Sequence, residues 1–266
     1  MTSLEVEGGA VAHVDGQPIN ILDLDDALHS VRVRLRARLG FTFATLNLDH
    51  LVKLRADGAF RAAYARATFV SADGAPVAAL ARSQVPHIRR TTGADLLVPL
   101  CQLAARDGVP VALFGSTEQS LGRAAARLRE LAPGLEIALL VSPPFGFDPR
   151  SAEADAFGAA IARSGAQLCF VCLGAPKQEI FADRMAQFHP TIGFVGVGAA
   201  ADFQSGAQLR APRLVGSIGL EWAWRLACQP RRMAWRYAQC AALLARIWLR
   251  QKFTPLPPVG VQTPGA

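Results

Sequence analysis

Five short stretches of this chain combine residue types that can hold, polarise or deprotonate a substrate. "TLNLDH", Thr45 to His50, sets a hydroxyl, an amide, a carboxylate and an imidazole side by side. Thr, Asn and Asp also cap helices, so turn chemistry explains the stretch as well as catalysis does. "SADG", Ser71 to Gly74, places Asp73 after a short apolar run. A carboxylate there can serve as a general base, or the Asp-Gly pair can make a tight turn. "RTTGADL" offers Arg90 just ahead of a helix start, able to pair with phosphate or a carboxylate or simply to be solvated. In "LGAPKQE" an apolar run breaks at Gly174, Pro176 suits the first helical position, and Lys177, Gln178 and Glu179 fill the first turn. Free N–H groups at a helix start attract anions. A nucleotide diphosphate is therefore a natural guest, with Gln178 able to bond its base or ribose. "GVGAAADFQSG" surrounds Asp202 with small residues that admit a ligand or allow close packing.

All five lie where elements meet. Short β-rich runs, "FTFATLN", "ATFVSADG", "PVALFGS", "EIALLVSPP", "AQLCFVCLGAP" and "TIGFVGVGAA", alternate with helical patterns. The helices are expected near His50–Arg66, Ala94–Asp107, Glu118–Ala132, Ser151–Ser164 and Lys177–Phe188. This alternation predicts an α/β fold, a largely parallel sheet with helices on both faces. In such sheets the ligand sits at the carboxyl ends of the strands. Those ends are where Asn47, Asp73, Gly115-Ser116, Gly174 and Gly196–Gly198 fall. One site assembled from many strand ends is the expectation.

The net charge of +7 is concentrated at one end. Residues 204–252 hold nine Lys and Arg against one acid, Glu221, so the rest of the chain sums to −1. An anionic surface or ligand should meet that end. The first 16 residues carry three acids and neither Lys nor Arg, unlike a secretory signal. The five cysteines are then expected reduced, in a cytosolic protein. Cys169 and Cys172 form a C-x-x-C on a strand, where residues three apart point to opposite faces, so a core role is favoured over a metal site. No stretch reaches the roughly 18 to 20 apolar residues of a spanning helix. Neither G-x-x-x-x-G-K-[ST] nor G-x-G-x-x-G after the first strand is present. That argues against a P-loop and against a dinucleotide-dependent oxidoreductase.

Taken in order, Thr45-x-Asn47, Asp73-Gly74, Gly93-x-Asp95-Leu96, "SPPFGF", "LGAPKQE", "SGAQLRAP" and "GLEWAWRL…QPRRMAWRY" resemble the WecG/TagA/CpsF family of bacterial glycosyltransferases, over about Gln17 to Lys252. The resemblance implies a Rossmann-like fold of the GT-E type. It implies inverting, metal-independent transfer of a hexosyl group from a UDP-sugar onto a polyprenyl-diphosphate-linked saccharide, with no cofactor. Glucose, N-acetylmannosamine and N-acetylmannosaminuronic acid are all compatible, and exopolysaccharide or other cell-surface polysaccharide is the product class. By the same resemblance Asp73 is the catalytic base, with Thr45 and Asn47 in its pocket. Gln178 and Asp202 fall on the donor side and Arg90 in the pocket. Lys177 lies in the anion-binding helix start. A nucleotide-sugar-binding protein without transferase activity is the alternative, and Asp73→Asn discriminates between the two.

After about Arg210 the alternation gives way to a basic segment holding all four tryptophans, Trp222, Trp224, Trp235 and Trp248. At about 100° per residue, Arg232, Arg246 and Arg250 fall within about 80° of Arg236, and Met233, Tyr237, Ala241, Leu244 and Trp248 form the other flank. Such a helix can lie in a bilayer interface, or merely cover a core; no nucleic-acid module accompanies it, and nucleic acid is not an expected partner. In the resembled family this segment docks on the membrane and brings arginines to the site, here Arg225, Arg232 and Arg236. The expected organisation is a core, 1–208, a membrane-docking appendage, 209–253, and a disordered tail, 254–266. The protein is expected on the cytoplasmic face of the membrane, with self-association left open.

Overall fold

The computed structural model describes residues 10–210, 212, 221–228 and 230–253. Six strands form one parallel sheet: β3 (Phe41–Leu46), β4 (Phe69–Ala72), β5 (Val111–Gly115), β6 (Ile137–Val141), β7 (Leu168–Cys172) and β8 (Gly193–Gly196). Their spatial order is β4-β3-β8-β7-β5-β6. Ahead of them β1 (Ala12–Val14) and β2 (Gln17–Ile19) make a hairpin. Its turn is Asp15-Gly16, both at positive φ, the backbone that an Asp-Gly hairpin turn needs. The Asn20 that follows covers the outer edge of β4. Its N–H donates to the Val70 carbonyl at 3.1 Å, and its side chain accepts from the Val70 N–H at 2.7 Å. The edge strand is thereby closed to outside pairing.

Side chains alternate across the sheet and sort into two layers. Phe41, Phe43, Leu168, Phe170 and Cys172 face one cluster with α1 (Leu24–Arg36), α5 (Gly93–Asp107), α6 (Glu118–Leu131) and α9 (Ala200–Ser205). Ala44 and Leu46 face α2 (Leu48–Leu54), α3 (Gly58–Ala65) and α4 (Ala75–Arg82). Cys169 and Val171 face α7 (Ala152–Arg163) and α8 (Lys177–Phe188). Cys169 and Cys172 thus lie in different clusters, and burial raises both thiols well above their ordinary range. The expected helix at His50–Arg66 is two helices. Asp57 accepts from the N–H groups of Ala59 and Phe60, capping α3 and breaking the run.

Among the described residues two helices follow the core, α10 (Glu221–Cys228) and α11 (Pro230–Phe253). Leu243 and Ile247 of α11 are buried among Leu51, Leu54 and Phe60 of α2 and α3. α11 is therefore docked on the core. Among the described residues, no helix is long and apolar enough to cross a membrane. The tail expected to be disordered lies outside the described residues.

The chain runs from β3 outward to β4 on one side, and reverses between β5 and β7, where β5 leads to β6 and β7 back to β8. Crevices open at such reversals, outside the carboxyl ends of the strands. At this reversal Gly115 has φ 119° and its Cα lies against the Cys172 backbone, so no side chain fits there.

Candidate active site

β3 and β4 end side by side, and the residues following them make the floor of a cavity. Asn47 caps α2: its Oδ1 accepts from the His50 N–H at 3.0 Å. That bond turns the amide so that Nδ2 donates to Asp73 Oδ2 at 3.3 Å. The Asp73 N–H donates to the Leu46 carbonyl at 2.8 Å, extending the ladder by one residue and fixing the carboxylate next to Asn47. Gly74 then turns the chain with φ 82°, a left-handed backbone that favours glycine. α4 starts there without a side-chain cap. The loop carrying Arg90 is tied across the same strand end, because the Thr91 N–H donates to Ala72 and Ser71 Oγ donates to the Thr91 carbonyl.

The roof comes from the C-terminal helices. Asn47, Asp49, Asp73, Gly74, Pro76 and Arg90 of the core, with Leu48 and Ala75, enclose about 380 Å³ together with Trp222 of α10 and Arg236, Tyr237, Cys240, Ala241 and Leu244 of α11. Asp49 joins the two parts. It is 8% exposed, and its Oδ2 lies 2.7 Å from both Lys53 Nζ and Arg236 Nη2. The helical wheel placed Arg236 in the basic stripe of this helix, and the structure turns it inward, toward the core. Met233, Cys240, Leu243 and Ile247, the buried side of α11, bracket it. Exposure falls instead on Trp235, Trp248 and Leu249.

Beneath the floor lies a buried polar layer. His50 Nδ1 is 2.7 Å from the Tyr64 hydroxyl. Burial drives His50 down to about 3, although the neighbouring Asp49 opposes this. Its 3.8 Å approach to Glu179 is therefore not an ion pair. Burial also keeps the Tyr64 phenol protonated, so a neutral phenol and a neutral imidazole share this hydrogen bond. Glu179 is pushed up to about 7 by burial, against a hydrogen bond from Gln178 Nε2 at 2.7 Å. Its Oε2 has no hydrogen-bond partner among the described residues. Gln178 Oε1 accepts from the Gly198 N–H at 2.9 Å, binding the start of α8 to the turn after β8.

A second polar cluster occupies the β5–β7 reversal. Asp202 accepts from Ser116 Oγ, from Ser120 Oγ at 2.7 Å and from Gln208 Nε2 at 3.0 Å. Ser205 lies 2.8 Å from Ser120, and Ser142 Oγ donates to the Ser116 carbonyl at 2.8 Å. Ser116 adopts φ 50°, a conformation that costs about 1 kcal/mol or more outside glycine.

Of the residues singled out by sequence, Asn47, Asp73, Arg90 and Arg236 meet in one cavity. Thr45 does not line it: it is 4% exposed in β3, registered against Ser71 beside the floor. Lys177 donates to the Phe147 carbonyl at 2.6 Å, holding the loop after β6. Gln178 is buried with both amide ends engaged by protein, where a base or ribose contact had been expected. Pro176 is the residue before α8, not its first. Arg225 and Arg232 fall on α10 and α11, but their side chains lie outside the described residues. Asp49, His50 and Glu179 stood in the stretches singled out but were given no role of their own, Trp222 was placed only in the membrane-docking segment, and Cys240 and Tyr64 were not read out. Asp49 had a signal, a Lys four residues on, but its second partner, Arg236, is 187 positions away in sequence. Among the described residues no three His, Cys, Asp or Glu side chains converge as a metal site would need.

A carboxylate oriented by an amide, two arginines and an apolar wall suit a polar reaction on an anionic substrate with a greasy part, and such a cavity serves many reactions. The whole chain decides among them. Residues 12–257 match the sequence profile of the glycosyl transferase WecG/TagA/CpsF family, and with the parallel sheet and the strand-end site in place, the protein belongs to that family of glycosyltransferases.

Proposed function

We propose that the enzyme is an inverting glycosyltransferase that moves a hexosyl group from a UDP-sugar onto a polyprenyl-diphosphate-linked saccharide for exopolysaccharide or another cell-surface polysaccharide. The observation that carries the reading is the pairing of Asp73 with Asn47 in a cavity that Arg90 and Arg236 also line. Asp73 removes the proton of the acceptor hydroxyl as that oxygen attacks the anomeric carbon, and the carbon–oxygen bond to the diphosphate breaks. The arginines and the uncapped start of α4 take up the charge that develops on the leaving diphosphate. Thr45 backs the floor, while Gln178 and Asp202 shape the donor side by fixing the turns after β8 and β5. Lys177 steadies the loop beside them, and Arg225 and Arg232 add charge from the appendage.

Membrane docking is supported by the exposure of Trp222, Trp235 and Trp248, at 46%, 73% and 52%, on a basic helical pair. Indole rings favour the headgroup region. The enzyme works at the cytoplasmic face of the membrane, bound peripherally.

The test is UDP release from a panel of UDP-sugars, with a polyprenyl-diphosphate-sugar acceptor in detergent. One donor should give acceptor-dependent turnover, and Asp73→Asn should lower it about 10²- to 10⁴-fold. Turnover unaffected by Asp73→Asn removes the assigned base. UDP-sugar binding with no turnover for any donor replaces the transferase reading with that of a binding protein.

A further inference from the structure

The cavity is two-ended, and α11 shows the direction. Arg236, Tyr237, Cys240, Ala241 and Leu244 line it, at spacings of one, four, five and eight residues from Arg236. They form one stripe about 12 Å long at 1.5 Å per residue. The end at Arg236 is charged and lies with Asp49, and Asp73 and Arg90 line the same cavity. The other end is apolar: Cys240, Ala241 and Leu244 on the helix, with Leu48 and Pro76 among the other lining residues; Trp222 stands against Tyr237, ring centroids 6.0 Å apart. One turn beyond Leu244 the stripe reaches Trp248, half exposed, next to the exposed Leu249. An apolar track thus leads from the arginines toward the surface at Trp248 and Leu249.

Glycosyl transfer needs only the charged end. A wall of aliphatic side chains continuous with an anion site fits a ligand whose phosphate is joined directly to a hydrocarbon. We infer that this wall is a binding subsite for the first isoprene units of the acceptor, so that the lipid enters the protein between α4 and α11 before it joins the bilayer. The inference rests on the acceptor reading above and adds to it that the enzyme recognises the chain, not only the sugar and diphosphate. The diphosphate lies at Arg236 and Arg90, the first units run along Cys240, Ala241 and Leu244, and the remainder leaves past Trp248.

The probes are geranyl diphosphate, inorganic pyrophosphate and lysophosphatidylglycerol below its micellar concentration. Each is titrated calorimetrically into the full chain without donor. Covering two or three methylene equivalents makes geranyl diphosphate about thirtyfold tighter than pyrophosphate. Ala241→Trp, at an exposed position on the cavity rim, should cut that advantage below about threefold and leave pyrophosphate affinity unchanged, because it fills only the apolar end. Equal affinities for geranyl diphosphate and pyrophosphate in the wild type overturn the subsite. So does an advantage that Ala241→Trp leaves intact. Lysophosphatidylglycerol binding as tightly as geranyl diphosphate, and losing its grip in Ala241→Trp, reassigns the track to bilayer lipid and overturns the acceptor assignment. Binding requires no turnover, so failure of the transferase reading would show in the UDP-release assay with the geranyl advantage still present. Failure of the subsite would leave acceptor-dependent transfer intact.

Discussion

Asp49→Asn is the perturbation that tests how the appendage is held to the core. The carboxylate is nearly buried, whereas its partners Lys53 and Arg236 keep about a third of their side-chain surface, at 33% and 35%. Removing one member of a fully buried pair costs about 3–5 kcal/mol, and an exposed pair is worth about 0–1. This arrangement lies between them, so neutralising Asp49 should weaken the docking of α11 by about 2 kcal/mol. The apolar part of the contact survives: Leu243 and Ile247 are buried at 3% and 7% exposure, each contributing about 1.5–3 kcal/mol. α11 should therefore stay docked most of the time but open more often. Native-state hydrogen exchange reads this directly. Amides of residues 233–247 should exchange about thirtyfold faster in Asp49→Asn, while those of β5 and β7 keep their protection. Lys53→Met is the control, since it removes a cation and leaves the Asp49–Arg236 pair, and it should not speed exchange in α11. Unchanged exchange in Asp49→Asn, or equal acceleration by both variants, would refute the assignment of Asp49 as the link.

Glu179 gives a pH signature. Its carboxyl is raised to about 7 in the fold from about 4.3 in the unfolded chain. Its contribution is complete below that lower value and is lost as pH rises through about 7. His50 works the other way: depressed to about 3, it costs stability as pH falls below its unfolded value of about 6.5. Glu179→Gln should thus gain on the wild type by about 2–3 kcal/mol between pH 5 and 8 in urea melts, and a constant difference would refute the buried proton. Asp202→Ala leaves the Ser116 and Ser120 hydroxyls without their shared acceptor. It should cost about 1–3 kcal/mol of stability and raise the KM for the donor more than it lowers kcat. Replacing both Trp235 and Trp248 by Ala should weaken sedimentation with anionic vesicles at least tenfold while leaving pyrophosphate binding in solution unchanged; retained sedimentation would count against docking through these rings.

The six strands of the sheet were legible because buried parallel strands are short, apolar and bounded by turn residues. Each expected run holds the strand found there, and α8 begins and ends where its pattern does. The hairpin at Ala12–Ile19, α1, α4 and α9 were not read out. In α4 the sequence "APVAALAR" has its proline, a start signal, at the second position, but it lacks a capping side chain, and the Gly74 before it is equally suited to a turn. At the site, strand-end residues could be found by position alone. Gln178 and Arg236 could not. Gln178 sits at an anion-binding helix start, yet its direction is set by Gly196, whose missing side chain leaves the space the amide fills. Arg236 entered the candidate set through the family resemblance, and Asp49, distant in sequence, is what turns it inward.

The division of charge gives the site its logic. The chain outside residues 204–252 sums to −1, and the base proposed for it, Asp73, is itself an anion. That core has little with which to draw in a diphosphate, apart from Arg90 and the start of α4. The excess of positive charge arrives with the appendage, whose Arg236 reaches the cavity only when α11 is docked. Anion binding and docking are then two sides of one equilibrium: a ligand that uses Arg236 stabilises the docked form, and docking raises the affinity for the ligand by the same factor. At a hundred times its dissociation constant the ligand contributes about 2.7 kcal/mol, comparable to the link through Asp49. If the proposed docking on a membrane holds, the membrane acts in the same direction, since it favours the helix pair being ordered at the surface where the proposed lipid-linked acceptor lies. On that proposal, assembly of the site is coupled to the presence of its substrate, and the carboxylate at Asp49 sets how strongly the empty site is already closed.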